Sequence, residues 1–313
     1  MSDYRGFFLV GATASGKSGL AQCLAETHGF AVLSADSMLV YKGMNIGTAK
    51  PTAEERGTVD YGGIDLIEPD CDFSVWQYRE QAITFLDECA ARGQDVIVAG
   101  GSGLYVKSLT HGISDSPALS AEVRARWEKV FRESGVDALK DALRSMRPDL
   151  YEALADKENP RRLVRALSLA DAGGSGSERS WGERRGSAPL VGIRLPPEQL
   201  SARIDRRVEI MFESGLVEEV KELRSAYPNA SSSASQAIGY REVASMLGND
   251  CTWDEAVTRI AQRTRQLAKK QRTWFRHQAD VTWIDIDEND EVSEIAEQVM
   301  ARWKEHGPTE IAG

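Results

Sequence analysis

Cysteine is scarce in this chain: Cys23, Cys71, Cys89 and Cys251 are the four in 313 residues, with no close pair at metal-ligand spacing. That scarcity argues against a disulfide scaffold or a thiolate zinc site and fits a reducing compartment. Positive charge is also short. Lys plus Arg is 38 against 48 Asp plus Glu, a formal charge of −10, which excludes a uniformly basic nucleic-acid binder but not a local basic face. Long apolar runs are missing. Phe7 to Val10 is far too short for a signal peptide or membrane span, and no later segment reaches the required length. A soluble cytoplasmic protein with no membrane partner is expected. With 10 Pro, 27 Gly, 42% hydrophobic and 27% charged residues, disordered, collagen-like and coiled-coil chains are excluded. One large globular domain or two unequal ones remain.

Three short apolar runs, Phe7 to Val10, Ala31 to Ser34 and Val96 to Ala99, end in glycine or small polar residues, as buried parallel strands do. Helical patterns lie between them. One begins at Ser74, a good N-cap, carries Val75, Tyr78, Ala82, Ile83, Leu86 and Cys89 on one stripe, and stops at Gly93. From Ser120 to Ala172 the chain is nearly all helix-forming, and Ala172 to Gly186 is a polar, glycine-rich stretch. Strand-like runs resume at Leu190 to Leu195 and Thr282 to Ile286. The expected fold is α/β, a P-loop NTPase-like parallel sheet covered by helices with an inserted all-helical domain. Residues 1–113 and 190–313 would form the core and 114–189 the insertion.

The sharpest motif is GATASGKS: Gly11, Ala12, Thr13, Ala14, Ser15, Gly16, Lys17 and Ser18, placed after a strand and before a helix. This is the P-loop pattern. Its backbone N–H groups and the helix N-terminus face phosphate oxygens, Lys17 adds a full charge, and the Ser18 hydroxyl is a candidate Mg²⁺ ligand. A P-loop specifies a polyphosphate and not a reaction. Nucleotide hydrolases of this class end a later strand in a Mg²⁺-holding Asp. Here that strand ends Ala99-Gly100-Gly101, which disfavours energy-coupled hydrolysis.

The run Ala31 to Ser34 leads into Asp36. Beyond the C-terminal end of a parallel strand, that carboxylate lies near the P-loop and can take a proton from a nucleophile. A helix cap or a Mg²⁺ ligand is the competing role. The loop Tyr41 to Thr52 is rich in glycine and polar groups, but its composition assigns no ligand.

Between Ala256 and Ala279 there are seven cations and no acid: Arg259, Arg263, Arg265, Lys269, Lys270, Arg272 and Arg276. On a helical wheel they oppose an arc of Val257, Ile260, Ala261, Thr264, Leu267, Ala268, Trp274 and Phe275. The rest of an already acidic chain carries −17. Such segregation favours a polyanion surface over a merely solvated face. Smaller basic clusters sit at Arg161, Arg162 and Arg165 and at Arg203, Arg206 and Arg207.

Taken together, GATASGKS, ADSMLVYKGMNIGTAKPT, VAGGSGLYVKSL, NPRRLVRAL, RIDRRVEIMFESGLVEEV, QAIGYREV and TRQLAKKQRTWFR resemble the bacterial tRNA dimethylallyltransferase family, also called IPP transferases, from the P-loop to about Asp285. The resemblance implies that the P-loop, Gly11 to Ser18, grips the diphosphate of dimethylallyl diphosphate with Mg²⁺ and without ATP. It implies that Thr13, Asp36 and Arg207 are catalytic. Asp36 matches the carboxylate that deprotonates the exocyclic amine of an adenine beside the anticodon, and Arg207 helps hold the departing diphosphate. Asp36, Ser37, Met38 and Leu39 match tRNA-contacting positions, as do Ser102 and Arg124. So do Arg161, Arg162, Leu163, Val164 and Arg165, and Gln236, Ala237, Ile238, Gly239, Tyr240 and Arg241. The implied partner is a tRNA anticodon stem-loop, bound by a monomer.

The chain departs from the family pattern at Ala12, where proline is common, at Ser102, where threonine is common, and in the linker Gly173 to Gly186. No cysteine/histidine finger follows, unlike in many eukaryotic members. Three other readings compete. A small-molecule P-loop kinase would need ATP, an adenylate prenyltransferase would not need the basic helix, and a non-catalytic RNA-binding protein would not need Asp36.

Overall fold

The computed structural model describes residues 4–113, 121–172, 181 and 189–312. In chain order the elements begin β1 Tyr4–Val10, α1 Lys17–His28, β2 Ala31–Ser34, α2 Ala53–Arg56, β3 Tyr61–Gly62, α3 Val75–Ala91, β4 Val96–Gly100 and α4 Gly103–His111. Three helices follow: α5 Ala121–Met146, α6 Pro148–Ala153 and α7 Pro160–Asp171. Next come β5 Leu190–Arg194, α8 Pro197–Glu213, α9 Leu216–Ala226, α10 Ser232–Ser235, α11 Tyr240–Leu247 and α12 Trp253–Gln278. The chain closes with β6 Val281–Asp285, α13 Val292–His306 and β7 Thr309–Ile311.

Residues 1–112 and 183–313 make one compact unit and 113–182 a second, against the sequence-based limits of 114 and 189. In the larger unit the strand order is β3-β2-β4-β1-β5-β6, all parallel, with Phe7 beside Ile97, Val32 beside Ile97 and Leu190 beside Val281. β7 runs antiparallel to the first half of β1, Tyr4 opposite Ile311. The central strands are dry: Leu9, Leu33, Ile97, Val98 and Val191 have no exposed surface. Such a sheet is covered on both faces, which is why its strands read as unbroken apolar runs. β1 lies between β4, reached from one side, and β5, reached from the other. Reversal of strand order at that point opens a crevice beyond the C-terminal strand ends, where Val10 leads into the P-loop.

The helix starting after Ser74 forms as its sequence predicts. Ser74 accepts from Gln77 N and the Gln77 side chain accepts from Ser74 N, a reciprocal cap. Val75, Tyr78, Ala82, Leu86 and Cys89 are buried, while Ile83 is only half-buried.

The smaller unit has its own core of Trp127, Leu139, Leu143, Leu150, Tyr151, Leu154, Leu163, Val164, Ala166 and Leu167. α5 bends at Gly135, whose φ of 77° lies outside the helical region. The predicted flexible stretch 173–186 lies outside the described residues, apart from Trp181, which bridges to Ile113.

Candidate active site

The P-loop joins β1 to α1. Ala14 and Gly16 take positive φ values of 63° and 94°, turning successive amides inward. Such a turn is easy for glycine and costly for alanine. α1 starts at Lys17 without a side-chain cap, so its first-turn N–H groups and positive dipole end are available to an anion. Ser15 Oγ is buried and has no hydrogen-bond partner. Ser15 lies beneath the loop near Gly11 and does not line the cavity that surrounds the loop. Lys17 donates its Nζ to the Ala12 carbonyl at 2.6 Å. Burial pulls its pKa down to about 8, the Asp36 charge opposes this, and Arg207 adds to the depression.

Around the loop is a cavity of about 370 Å³ lined by Thr13, Lys17, Ser18, Asp36, Arg203, Arg206, Arg207 and Gln271, among others. Asp36 leaves the end of β2, and its Oδ1 accepts the Met38 N–H at 2.9 Å, a local turn that fixes the carboxylate. Ser37 and Met38 are half-buried and Leu39 lines the cavity. The Ser102 amide donates to Ala35 O at 3.0 Å, so Ser102, the start of α4, and the Asp36 to Leu39 segment are neighbours. α8 presents Arg203, Arg206 and Arg207 from one face, and Leu200, Ile204, Val208 and Met211 are buried on the other. Arg207 Nη2 donates to Thr48 O at 3.0 Å. Burial lowers its pKa, and Asp36 opposes that shift.

The loop 41–52, which composition left without a role, brings Thr48 and Ala49 to the cavity wall. Glu219 on α9 accepts the Asn45, Ile46 and Gly47 amides at 3.0, 2.8 and 3.2 Å and the Tyr240 hydroxyl at 2.6 Å. Lys50, almost fully buried, is tied to Asp65 at 2.6 Å. The loop is therefore a fixed wall.

The missing hydrolase carboxylate has a steric reason. A Cβ at Gly100 would fall 2.2 Å from the Ala35 carbonyl oxygen, and one at Gly101 would fall 2.5 Å from the Gln271 amide. At Gly100 the obstacle is fixed backbone and no side chain fits, whereas at Gly101 a side chain would have to displace the Gln271 carboxamide. For Mg²⁺, Ser18 and Asp36 supply oxygen donors to the same cavity, the donor type that ion prefers. Among the described residues no cluster of three or more His, Cys, Asp or Glu offers another metal site. The residues present fit a cation held jointly with phosphate oxygens and water.

Of the remaining sequence-predicted positions, Arg124 lies on α5 and is paired with Glu128 at 2.9 Å. Arg161 and Arg162 on α7 are exposed and Arg165 is half-buried, whereas Leu163 and Val164 belong to the small unit's core. In the larger unit Gln236 and Arg241 are exposed, Ile238 is half-buried, and Ala237, Gly239 and Tyr240 are buried. A Cβ at Gly47 would lie 2.5 Å from the Tyr240 ring. The segment 236–241 thus packs directly on the cavity-wall loop.

The basic helix is α12, with two corrections. Leu267, expected in the apolar arc, is 38% exposed. Arg263 and Arg265 are not free cations, being paired with Glu242 and Asp205. Both flank the inner face, where acids of α11 and α8 reach them. Arg259, Lys269, Lys270, Arg272 and Arg276 form no ion pair among the described residues. Gln271 was missed altogether, because a polar residue at the edge of an apolar arc carries no signal until its partner is seen.

Residues 39–278 match the family model described as IPP transferase. A tRNA dimethylallyltransferase of Geobacter sulfurreducens is 40% identical over 294 residues, covering 92% of this chain and 94% of that one. The chain belongs to the IPP transferase family. A second IPP transferase relative, the tRNA dimethylallyltransferase of Acetivibrio thermocellus, is 38% identical over 288 residues, 90% of this chain and 92% of that one. Among solved structures, the tRNA isopentenylpyrophosphate transferase of Bacillus halodurans superposes with a TM-score of 0.70 at 33% identity, over 97% of this chain and 98% of that chain. A eukaryotic dimethylallyltransferase acting on tRNA shares the IPP transferase fold, with a TM-score of 0.70 at 21% identity over 96% of this chain and 76% of that one. No helix among the described residues is long and apolar enough to cross a membrane.

Proposed function

We propose that this IPP transferase moves the dimethylallyl group of dimethylallyl diphosphate to the exocyclic N6 of the adenosine 3′-adjacent to the anticodon of a tRNA, releasing diphosphate. The observation that carries this reading is one cavity in which an anion cradle and an arginine cluster face Asp36. The Ala35 backbone leaves no room for a hydrolase carboxylate at Gly100, and the Gln271 carboxamide fills the space beside Gly101. The names of the 38–40% identical relatives support the same activity.

In this mechanism the P-loop amides and Lys17 bind the diphosphate, and the three arginines of α8 face it. Cleavage of the allylic C–O bond sends its electron pair to the departing diphosphate, whose growing charge these fixed donors stabilise. The adenine N6 lone pair forms the new C–N bond, and the Asp36 carboxylate takes the N6 proton. Ser18 would hold Mg²⁺ together with diphosphate oxygens, and the bound ion supplies further charge neutralisation. The base must leave its stack to reach Asp36, which suits a target in a loop. The cations of α12 that form no ion pair among the described residues, with Gln236 and Arg241, offer a polyanion surface on the same unit as the cavity.

Incubation with dimethylallyl diphosphate, Mg²⁺ and unmodified tRNA, followed by mass spectrometry of the digested RNA, should find a dimethylallyl adduct on adenosine. Modification of free AMP alone, or ATP consumption without prenyl transfer, contradicts the reading. Asp36→Asn should lower kcat by about 10²–10⁴-fold, as expected for loss of a general base, while donor affinity is retained.

A further inference from the structure

Gln271 sits in the C-terminal third of α12, the helix that carries the cluster of cations, yet its side chain points into the cavity wall. Its Oε1 accepts the Thr13 N–H at 2.7 Å across 258 residues of sequence. Because a backbone N–H can only donate, the atom facing Thr13 must be the amide oxygen, which fixes the orientation of the whole carboxamide. The NH₂ group is thereby turned toward Gly101, whose Cβ, if it had one, would fall 2.5 Å from that nitrogen. One helical turn on, the Trp274 ring occupies the space of a Cβ at Gly103, at 2.1 Å. α12 is therefore seated on the β4–α4 turn through two glycine notches, and the first of them admits Gln271 to the P-loop.

Thr13 also lines the cavity beside Lys17 and Asp36. Its amide is committed to Gln271 and is withdrawn from phosphate binding, so the anion falls to the residues after it. We propose that Gln271 is a positioning residue for prenyl transfer. By holding Thr13 in place it sets the entrance of the P-loop relative to Asp36, and Gly101 is glycine because the clamp needs its space. The inference rests on the proposed prenyl-transfer reading. It makes α12 do two separate things, present cations on its outer face and brace the donor loop on its inner one.

Three chains decide it: wild type, Gln271→Met, which keeps the length and apolar packing but offers the amide only a weakly accepting thioether, and Gly101→Ala, which keeps Gln271 but displaces it. Steady-state kinetics with dimethylallyl diphosphate, Mg²⁺ and tRNA should show kcat lowered by about 10–100-fold in both variants, the scale of a misplaced reacting group. The KM and dissociation constant for tRNA should stay within about twofold, and the melting temperature close to wild type. Wild-type kcat in Gln271→Met, or a loss confined to tRNA affinity, would overturn the proposal, the second assigning Gln271 to the RNA grip. Hydrogen–deuterium exchange of the peptide spanning residues 11–18 needs no turnover. Faster exchange at the Thr13 amide in Gln271→Met supports the clamp, and unchanged exchange overturns it. If wild type prenylates no tRNA, the functional reading fails, and the exchange result still judges the clamp.

Discussion

The Arg207 guanidinium donates to the Thr48 carbonyl at 3.0 Å, joining the arginine face of α8 to the loop that walls the cavity. Arg203 is less firmly held, reaching Glu288 O at 3.5 Å. Arg207 is thus held in place at the cavity wall, and in the proposed mechanism a fixed donor there is worth more in the transition state than in the ground state. Arg207→Ala should cost about 10²–10³-fold in kcat. Arg203→Ala should mainly raise the KM for the diphosphate donor. Equal effects on kcat would contradict this division.

Lys17 gives the site a pH dependence of definite sign. In the free protein its pKa is pulled down to about 8, and a bound diphosphate favours the charged ammonium. Affinity for the donor is therefore full below about pH 8 and declines above it, by up to about tenfold per pH unit until the raised pKa of the complex is reached. Calorimetric titration from about pH 6.5 to about 9.5, roughly 1.5 units either side of the Lys17 value, should show proton uptake on binding at the alkaline end. The effect should vanish in Lys17→Arg. A flat profile would mean that Lys17 is charged throughout.

One carboxylate gathers the middle of the loop 41–52. Glu219 collects three backbone amides and the Tyr240 hydroxyl, and Gly47 leaves room for the Tyr240 ring, 2.5 Å from where a Cβ would sit. Gly47→Ala should destabilise the larger unit by about 1–3 kcal/mol through overpacking, read as a lowered melting temperature. It should also reduce turnover, because Thr48 moves with the loop. An unchanged melt would show that the loop yields without cost.

Much of this was legible in the sequence, for identifiable reasons. β1, β2 and β4 are buried on both faces, so they read as short apolar runs, and the P-loop is local, all its parts lying between Gly11 and Ser18. Asp36 could be placed because strand ends in such sheets converge on one crevice. β3 and β7 were not anticipated: two and three residues are too few to show a period. The role of loop 41–52 was hidden because its anchor, Glu219, lies more than 170 positions away. The cation face of α12 was drawn too wide because the wheel does not show Glu242 and Asp205 arriving from other helices. Leu163 and Val164 fall within a basic segment, but their side chains serve the core of the small unit.

The account stands on the phosphate cradle serving a prenyl donor and not a nucleoside triphosphate. Titration of wild type with dimethylallyl diphosphate and, separately, with ATP, each with Mg²⁺ and each followed by product analysis, tests this most directly. The account predicts saturable binding of the five-carbon donor, weakened at least about tenfold by Lys17→Ala (a loss of about 1.4 kcal/mol), with ATP left intact. Tight ATP binding with turnover to ADP, and no binding of the prenyl donor, would contradict it.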